Sequence, residues 1–271
     1  MLASLPWYDL SEVRGALDRL WAAIARRLEA SGISPVPHRL DRDPDYEAQW
    51  QGGELLLGQA CGYDAVLGQA DRLRVVATPH FEFPGCEGPH YCSFIVVRAS
   101  CAARSISELR GLRCVINTPT SHSGMNVLRS LVAPLHVEGR FFAHVAQSGA
   151  HEHSLRMLRD DDADVAAIDC VTYGLLRKHR PTALAGTRVI HQTARVPAPP
   201  FVTSAQTPER VATALASALE HVVVERPDAS IVDALGLRGI SRLDISAYRP
   251  IAELAQVARA ANYHEMSFEG C

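Results

Sequence analysis

Strand-like and helix-like segments alternate along most of the 271-residue chain, and this alternation limits the possible folds more than any other feature of the sequence. Runs of apolar and β-branched residues predict strands, for example at residues 2–5, 73–78 and 91–98. Stretches with apolar residues at helical spacing lie between such runs, as at residues 151–159. Alternation in steps of about 10–15 residues is typical of α/β proteins with parallel sheets covered by helices. We therefore expect an α/β fold.

Local signals also predict where some elements begin. Asp9 is followed three residues later by Glu12, and Ser105 is followed by Glu108 at the same spacing. This spacing is that of a capping box, so helices are predicted to start at both places. Weaker patterns predict a strand at residues 36–40 and a helical turn at residues 64–67.

Two extended stretches suggest a division into two α/β lobes. They lie around residues 91–98 and 192–201, and the second is rich in proline. If the chain crosses between lobes at these stretches, lobe 1 is discontinuous and comprises residues 1–95 plus 195–271. Lobe 2 then comprises residues 96–194.

Composition and charge exclude several classes of protein. Apolar residues make up 47% of the chain and charged residues 21%, as in globular proteins. The formal net charge is −3 and the sequence pI is near 6.5, without the basic patch that nucleic-acid binding requires. No apolar run approaches the roughly 20 residues of a membrane span. We therefore expect neither a nucleic-acid partner nor membrane insertion.

The cysteines and the N-terminus bear on the compartment. The chain has seven cysteines and no Cys-x-x-Cys pair, and an odd number cannot all pair within one chain. This pattern favours buried thiols in a reducing compartment. The first basic residue is Arg14, so the N-terminus lacks the basic, apolar and small-residue order of a secretory signal. We expect a cytoplasmic protein as the chain is given, and a periplasmic one if the true start lies upstream.

Four pieces of the chain resemble one known family in their order and spacing. They are YCSFIVVR (91–98) with SISELRG (105–111), NTPTSHSGM (117–125), SGAHEHS (148–154) and DADVAAID (162–169). Together they resemble the substrate-binding proteins of ABC transporters for phosphate and phosphonates, over most of residues 53–201. This resemblance implies the type 2 periplasmic-binding-protein fold, with mixed sheets covered by helices in two lobes. A two-strand hinge would let the lobes close on a ligand between them.

The resemblance implies a binding protein rather than an enzyme. Its ligand would be a small anion of the phosphate or phosphonate kind, and its candidate protein partner would be an ABC-transporter permease. Two alternatives stay open: a cytoplasmic enzyme of the same fold, of the lyase or cofactor-biosynthesis type, and a cytoplasmic anion sensor. The sequence has no G-x-S-x-G, H-E-x-x-H or G-x-x-x-x-G-K motif. We expect no catalytic residue, no cofactor and no metal.

The strongest candidate for ligand binding is the segment Ser121, His122, Ser123 and Gly124, which matches the family's ligand loop. It precedes a predicted helix, where unpaired main-chain N–H groups, the helix dipole and two hydroxyls favour an anion. A simpler interpretation is that Ser121 or Ser123 only caps the helix. At the position of His122 the family often has Thr. The His122 side chain would either add a charged donor or cover the site.

Two further polar residues follow strands that end at the same predicted edge. His151 lies just after Ser148 and Gly149 at a strand-to-helix turn, so it is a candidate ligand contact. Asp169 ends an apolar strand and would either accept a hydrogen bond from the ligand or cap the next helix. His151 and His153 are two residues apart and do not share a helix face, which disfavours a metal site.

Three tyrosines complete the predicted site. Tyr8, Tyr63 and Tyr91 lie at strand ends or just after glycines. An aromatic ring with a polar tip suits a ligand wall as well as a packed surface, so both interpretations stay open. Tyr8 and Tyr63 belong to lobe 1 and would face the Ser121 loop across the cleft.

Overall fold

The computed structural model describes residues 1–43, 45–63, 68 and 71–263. Its helices are α1 Arg14–Ala30, α2 Tyr46–Gln51, α3 Val127–Val132, α4 His151–Arg159, α5 Cys170–His179, α6 Glu209–Glu220, α7 Ala229–Leu235 and α8 Arg249–Ala260. Its strands are β1 Leu2–Ala3, β2 Leu55–Gln59, β3 Leu73–Phe81, β4 His90–Tyr91, β5 Ser93–Arg98, β6 Arg113–Ile116, β7 His144–Gln147, β8 Val165–Asp169, β9 Thr187–Gln192, β10 Val196–Pro197, β11 Phe201–Ser204 and β12 Leu237–Ser241. No helix in these ranges is long and apolar enough to cross a membrane.

The described residues form two compact units. Unit 1 lies within Met1–Glu82, Cys86–His90 and Pro197–Tyr248, and unit 2 lies within Phe83–Gly85, Tyr91–Val196 and residues 249–263. The chain passes between the units within β4 and within β10, and also around residues 83–85 and between Tyr248 and Arg249, where α8 begins. Those two short strands pair with each other in a two-stranded sheet.

Unit 1 is built on a five-stranded sheet with the order β1-β2-β11-β3-β12. β1 runs parallel to β2, whereas β11 is antiparallel to β2 and β3, and β12 is antiparallel to β3. The apolar stripe of α1 is buried, with Trp21 and Leu28 almost inaccessible to solvent. A second cluster lies around Trp50, whose ring stacks on Trp7 at 5.8 Å between ring centroids.

Unit 2 is built on a second five-stranded sheet with the order β7-β6-β8-β5-β9. β6 is parallel to β7 and β8, so the carboxyl ends of these three strands share one edge of the sheet. Each of the three strands is followed by a helical segment: α3 after β6, α4 after β7 and α5 after β8. Ligand sites in open α/β sheets form at this kind of edge.

The sheets are mixed, so the prediction of parallel sheets from the alternation alone is wrong, and the mixed sheets expected from the family fold are confirmed. β5 is antiparallel to β8 and β9, and β11 is antiparallel to its own neighbours. Both strands follow a passage of the chain from one unit to the other. Such a strand enters its sheet without the helical crossover that makes a strand parallel to its predecessor.

Two predictions near the N-terminus are wrong. α1 begins at Arg14 with Val13 as a cap that makes no side-chain hydrogen bond. The carboxylate of Asp9 instead accepts hydrogen bonds from the side chains of Arg14 and Arg42, at 3.3 and 2.8 Å. Residues 36–40 form no strand. Pro37 lacks the N–H that a strand would use, and its carbonyl accepts from the Trp21 indole at 2.9 Å.

Three further local predictions need comment: one hydrogen bond has a different partner, one turn lies outside the described residues, and one strand was not predicted. Glu108 accepts a hydrogen bond from the main-chain N–H of Arg104 at 2.7 Å rather than from that of Ser105. The predicted helical turn at residues 64–67 lies outside the described residues. Strand β12 was not predicted, although Gly236, with a positive φ of 67°, marks the end of the preceding helix.

Residues 249–263, which include α8, lie in unit 2, whereas the sequence analysis placed them in lobe 1. Ala258 and Tyr263 belong to the main hydrophobic cluster of unit 2, together with Leu128. The His136 ring accordingly stacks on Tyr263 at 5.3 Å between centroids, and His136 Nε2 lies 2.7 Å from the carbonyl oxygen of Ala261. The sequence shows that α8 is amphipathic but not which sheet its apolar side covers.

Candidate functional site

The candidate site lies at the shared edge of unit 2, where β6, β7 and β8 end. The segment after β6 carries residues 121–124, the turn after β7 leads to His151, and β8 ends with Asp169. Because the three strands are parallel, these segments meet although they are distant in the sequence. Sequence analysis predicted this grouping, and the structure brings these residues together.

The turn at residues 121–124 opens a helical run. Ser121 is its N-cap, and Ser121 Oγ accepts a hydrogen bond from the Gly124 N–H at 3.0 Å. The run begins with a single π-helical turn, His122–Asn126, and continues as α3. Ser121 therefore performs the capping role that sequence analysis had left open between Ser121 and Ser123. Main-chain N–H groups in a first helical turn lack acceptors within the helix, which makes this turn an electropositive end.

Ser123 makes a different contact. Its Oγ atom lies 2.9 Å from Nε2 of His151, the first residue of α4. Both side chains are more than nine-tenths buried. Their contact joins the segment after β6 to the segment after β7 and fixes the hydroxyl of Ser123 at the turn.

Asp169 is the N-cap of α5. Its Oδ1 atom accepts from the N–H groups of Val171 and Thr172, both at 2.8 Å, and its Oδ2 atom accepts from the Thr172 hydroxyl at 2.6 Å. The Oδ2 atom also lies 3.5 Å from His151 Nε2. The capping role weighed in the sequence analysis is therefore present in the structure.

Ser123, His151 and Asp169 do not form a catalytic triad. In a triad the histidine faces serine with one ring nitrogen and the carboxylate with the other. Here both Ser123 Oγ and Asp169 Oδ2 lie nearest to the same nitrogen, Nε2 of His151. The carboxylate is also occupied by the cap of α5. The arrangement therefore differs from a triad in geometry, and it fixes the orientation of the serine hydroxyl.

His151 is held neutral in this environment. Burial lowers the pKa of His151, and the nearby Asp169 carboxylate and the main chain of Ala167 oppose this effect without reversing it. A neutral imidazole at this position takes part in hydrogen bonding without adding a positive charge. His153, on the same helix, is exposed and its Nδ1 atom lies 3.2 Å from the Ser148 carbonyl oxygen.

His122 is likewise a neutral group. The side chain is almost completely buried, and burial lowers the pKa of His122 to about 3. Its Nδ1 atom lies 3.2 Å from Nδ2 of Asn126, and its ring centroid lies 6.4 Å from that of Tyr91. Burial at this depth disfavours the charged form, so it argues against the alternative in which His122 adds a charged donor.

Asn117 belongs to the site and was not predicted as a site residue. It follows β6, and a Cβ atom at Gly124 would lie only 1.9 Å from Asn117 Oδ1. The Asn117 carboxamide thus occupies the space that a side chain at position 124 would need. Asn117 Oδ1 is buried and has no hydrogen-bond partner among the described residues. A polar residue at a strand end before a Ser-x-Ser-Gly turn was the available signal.

The three predicted tyrosines have different surroundings. Tyr91 lies in unit 2, is almost completely buried and packs beside His122. Tyr8 and Tyr63 lie in unit 1. Tyr8 is buried, and its ring meets Phe81 edge-on at 5.2 Å between centroids, whereas Tyr63 is half-buried. Their roles as ligand contacts stay predictions.

Neither a metal centre nor a disulfide is found in the part of the chain that the structure describes. It contains no cluster of three or more histidine, cysteine or acidic side chains suited to a metal ion. Six cysteines are described, all without disulfides. Cys170 is fully buried, and its Sγ atom accepts from the Cys92 N–H at 3.4 Å. The contact with Cys170, together with burial, raises the pKa of Cys92 far above its usual range, so this thiol stays protonated.

The chain matches several solved structures along nearly its whole length. XAC2383 from Xanthomonas citri, bound to chloride, is 16% identical with a TM-score of 0.74, and the match covers 98% of this chain and 99% of that one. PhnD1 from Prochlorococcus marinus, in complex with methylphosphonate, is 15% identical with a TM-score of 0.72, covering 97% and 98%. PA3383 from Pseudomonas aeruginosa, a binding protein component of an ABC phosphonate transporter, is 16% identical with a TM-score of 0.72, covering 96% and 87%.

These likenesses show the fold, and the sequence itself shows the family. No curated protein matches the chain. The family model described as "ABC transporter, phosphonate, periplasmic substrate-binding protein" matches residues 3–248. The chain therefore belongs to the phosphonate-binding family of periplasmic substrate-binding proteins of ABC transporters.

Proposed function

We propose that this protein binds a small oxyanion of the phosphonate or phosphate type at the turn formed by residues 121–124. The observation that carries the proposal is the fixed Ser123 hydroxyl at this helix-opening turn, held by His151 and placed where three parallel strands end. Family membership supports the same class of ligand.

The chemistry of the turn suits an oxyanion. Its main-chain N–H groups lie at the positive end of a helical run, and the hydroxyls of Ser121 and Ser123 lie beside them. Each phosphonate oxygen is a strong acceptor, and an anion at a helix N-terminus is stabilised by the dipole as well as by hydrogen bonds. His122 and His151 are neutral, so dipoles rather than histidine charges would balance the ligand charge.

Binding is favoured over the alternative of an enzyme of the same fold. A nucleophilic mechanism needs a base that faces serine and a carboxylate that orients the base from its other side. At this site Ser123 and Asp169 both lie against His151 Nε2. The geometry therefore supports an organised set of hydrogen-bonding groups and offers no activated nucleophile.

The proposed protein partner is an ABC-transporter permease, and the proposed compartment is that of the family, the periplasm. The family description supports both assignments. Co-purification of the native protein with a permease, and its recovery in the periplasmic fraction of its own cells, would test them. Recovery with cytoplasmic enzymes would favour the enzyme or sensor alternative.

The function itself is tested by calorimetry and thermal unfolding with methylphosphonate, phosphate and sulfate. The protein is first unfolded and refolded to remove any ligand carried through purification, and chloride at equal ionic strength is the control. A ligand that binds only the folded state stabilises it by about 1.4–2.7 kcal/mol at ten to a hundred times Kd. If none of the three oxyanions binds or raises the melting temperature beyond chloride, the proposal is wrong.

The predicted contacts in unit 1 have their own test. Tyr8→Phe and Tyr63→Phe remove one hydroxyl each and keep the ring. A tyrosine that donates to the anion should lose about tenfold or more in affinity, since hydrogen bonds to charged groups contribute about 1.5–3 kcal/mol. An unchanged affinity would assign that tyrosine to packing alone.

A further inference from the structure

Cys92 and Cys170 lie opposite each other in unit 2, and neither is among the candidate ligand residues. β5 and β8 are antiparallel with Ser93 opposite Asp169, so one further step of the same pairing places Cys92 opposite Cys170. The Cys170 N–H donates to the Cys92 carbonyl oxygen at 3.0 Å, and the Cys92 N–H donates to Cys170 Sγ at 3.4 Å. These hydrogen bonds hold the two cysteines as direct neighbours.

The two side chains lie on the same side of this pairing, beside Gly85. A Cβ atom at Gly85 would lie 2.7 Å from Cys92 Sγ and 2.9 Å from Cys170 Cβ. The two thiols are also close enough to form a hydrogen bond with each other. Gly85 therefore leaves the room that the two cysteines need, since any larger residue at this position would collide with both.

This arrangement meets the main-chain requirement of a disulfide. Hydrogen-bonded residues directly opposite in antiparallel pairs have Cα atoms about 5.5 Å apart, and disulfides bridge Cα separations of about 4.4–6.8 Å. The sulfurs of such neighbours can bond without a change in the register of the two segments.

We propose that Cys92 and Cys170 are a disulfide-forming pair, which is oxidised when the chain folds in the presence of a disulfide oxidant. The thiolate of one cysteine attacks the oxidant, forms a mixed disulfide and releases one thiolate. The thiolate of the second cysteine then attacks the mixed disulfide and releases the other. The two cysteine protons pass to the released thiolates, so an S–S bond replaces two S–H bonds and the oxidant is reduced to two thiols.

The bond is expected to form before the pair is buried. In the folded protein both cysteines are almost inaccessible to solvent, and the hydrogen bond to Cys170 together with burial raises the pKa of Cys92. The attacking thiolate is therefore scarce once folding is complete. While the chain is folding, the thiols are still open to the oxidant, and later burial protects the finished bond from reductants.

The bond would strengthen one edge of unit 2. It joins residues 78 positions apart and connects the start of β5 to the first residue of α5, next to Asp169. A cross-link that closes so long a loop restricts the unfolded chain and stabilises the folded one. Formation of the bond in cells rests on the proposed periplasmic compartment, whereas the pairing itself does not.

Refolding in a glutathione buffer tests the pairing on the full chain. The protein is unfolded in urea with a reductant, the reductant is removed, and the chain is refolded with reduced and oxidised glutathione together. Exchange with glutathione is reversible, so incorrect pairs rearrange and the most stable pairing accumulates. The remaining thiols are then blocked with N-ethylmaleimide.

Cleavage after Lys, Arg and Glu separates the cysteines for mass spectrometry. The cut after Glu87 places Cys92 in peptide 88–98 and Cys86 in a different peptide, while Cys170 lies in peptide 160–177. We expect peptide 88–98 to be linked to peptide 160–177 in most molecules. Maleimide on both Cys92 and Cys170, or links mainly to other cysteines such as Cys86, would overturn the proposal.

Cys92→Ala and Cys114→Ala are a matched pair of variants, since both cysteines are almost completely buried. Cys114→Ala should keep the link and Cys92→Ala should lose it. The linked parent should melt about 5–10 °C above its reduced form, and this difference should be absent in Cys92→Ala. Equal melting temperatures of the linked and reduced parent would contradict the stabilising role. If Cys92→Ala fails to fold, refolding of the parent still decides the pairing.

Failure of this inference and failure of the proposed compartment give different results. Thiols are trapped with N-ethylmaleimide in the protein's own cells before lysis, and the same peptides are analysed. A link after refolding but maleimide on both cysteines in cells would overturn only the periplasmic compartment. Absence of the link after refolding would overturn the pairing and leave the proposed anion binding untouched.

Discussion

Nε2 of His151 lies 2.9 Å from Oγ of Ser123, so the first residue of α4 fixes a hydroxyl on the turn that follows β6. Helix α3 and strand β7 lie between the two residues in the sequence. Only the parallel arrangement of β6 and β7 brings them together. Because both side chains are buried, the hydroxyl is oriented before any ligand arrives, which lowers the entropic cost of binding.

The contact between Ser123 and His151 gives the first prediction. Ser123→Ala should weaken binding of methylphosphonate about tenfold or more, because it removes a hydroxyl positioned at the proposed anion site. Ser130→Ala is a matched control, since Ser130 has the same exposure of 7% and its Oγ donates to the Val127 carbonyl at 2.8 Å. Calorimetry gives the affinities, and urea unfolding gives the stabilities.

We expect both variants to lose about 0.5–1.5 kcal/mol of unfolding free energy, one buried hydrogen bond each. Only Ser123→Ala should lose affinity. Ser121→Ala provides a third comparison, because loss of an N-cap costs about 1 kcal/mol. Equal affinities of Ser123→Ala and Ser130→Ala would show that the Ser123 hydroxyl does not contact the ligand.

The second prediction concerns the close approach of Gly124 and Asn117. A Cβ atom at position 124 would lie 1.9 Å from Asn117 Oδ1 and 3.2 Å from the Cε1 atom of His151. Gly124→Ala should therefore lower the unfolding free energy by about 1–3 kcal/mol through overpacking. Urea unfolding measures this loss. Gly15→Ala is the control, because its Cβ atom would meet only Arg19 Nη1, at 3.7 Å, and alanine favours an exposed helix by up to about 1 kcal/mol.

A double-mutant cycle identifies the cause of that loss. In an Asn117→Ala background the carboxamide is absent, so Gly124→Ala should cost less than it does in the parent. The difference is the coupling energy of the two positions. Additive losses in the double variant would mean that Asn117 does not occupy the space beside Gly124.

Much of the fold follows from local sequence patterns, because burial and helical spacing are recorded in each segment. Helix α4 was predicted with the bounds that the structure shows. The directions of β5 and β11 were not predictable from alternation, since they depend on where the chain passes between units. The placement of α8 was also missed, because an apolar stripe shows that a helix packs but not against which sheet.

The site was partly predictable for a related reason. His151 follows β7 and Asp169 ends β8, and the rule that parallel strands end at one edge was enough to group them. Asn117 and Asn126 were not predicted because their surroundings depend on residues distant in the sequence or on a missing side chain. Asn117 fills the space beside Gly124, and Asn126 contacts the Ile251 carbonyl oxygen. Polar residues of this kind carry no periodic signal.

The third prediction is a loss of stability in mild acid. Burial lowers the pKa of His122 to about 3, and it also lowers the pKa of His151 below the ordinary histidine value of 6.5. Below pH 6.5 the unfolded chain binds protons that the folded protein does not, so the stability is intact above this pH and falls as the pH falls. Each such histidine increases the slope of the unfolding free energy against pH by up to about 1.4 kcal/mol per pH unit.

Urea unfolding between about pH 7 and pH 5 measures this slope in the absence of ligand. His122→Gln has no group that titrates in this range, so its stability should fall less steeply with acid than that of the parent. A slope unchanged by this substitution would mean that His122 is protonated to the same extent in the folded and unfolded states.

The fourth prediction tests the assignment of the C-terminal helix to unit 2. Ile251 is fully buried, and its main-chain oxygen is the acceptor for Asn126. Ile251→Ala should lower the unfolding free energy by about 2–4 kcal/mol through the cavity that it leaves. Val257, 42% exposed on the same helix, provides the control, and Val257→Ala should change stability by less than about 0.5 kcal/mol.

Hydrogen exchange shows which unit depends on Ile251. Because α8 packs on the cluster that contains Leu128 and Tyr263, the amides of β6, α3 and the turn at residues 121–124 should lose protection in Ile251→Ala. The sheet of unit 1 should exchange as it does in the parent. Loss of protection confined to β2, β3 and β11 would instead assign the tail to unit 1, and the support of the ligand turn by α8 would then be wrong.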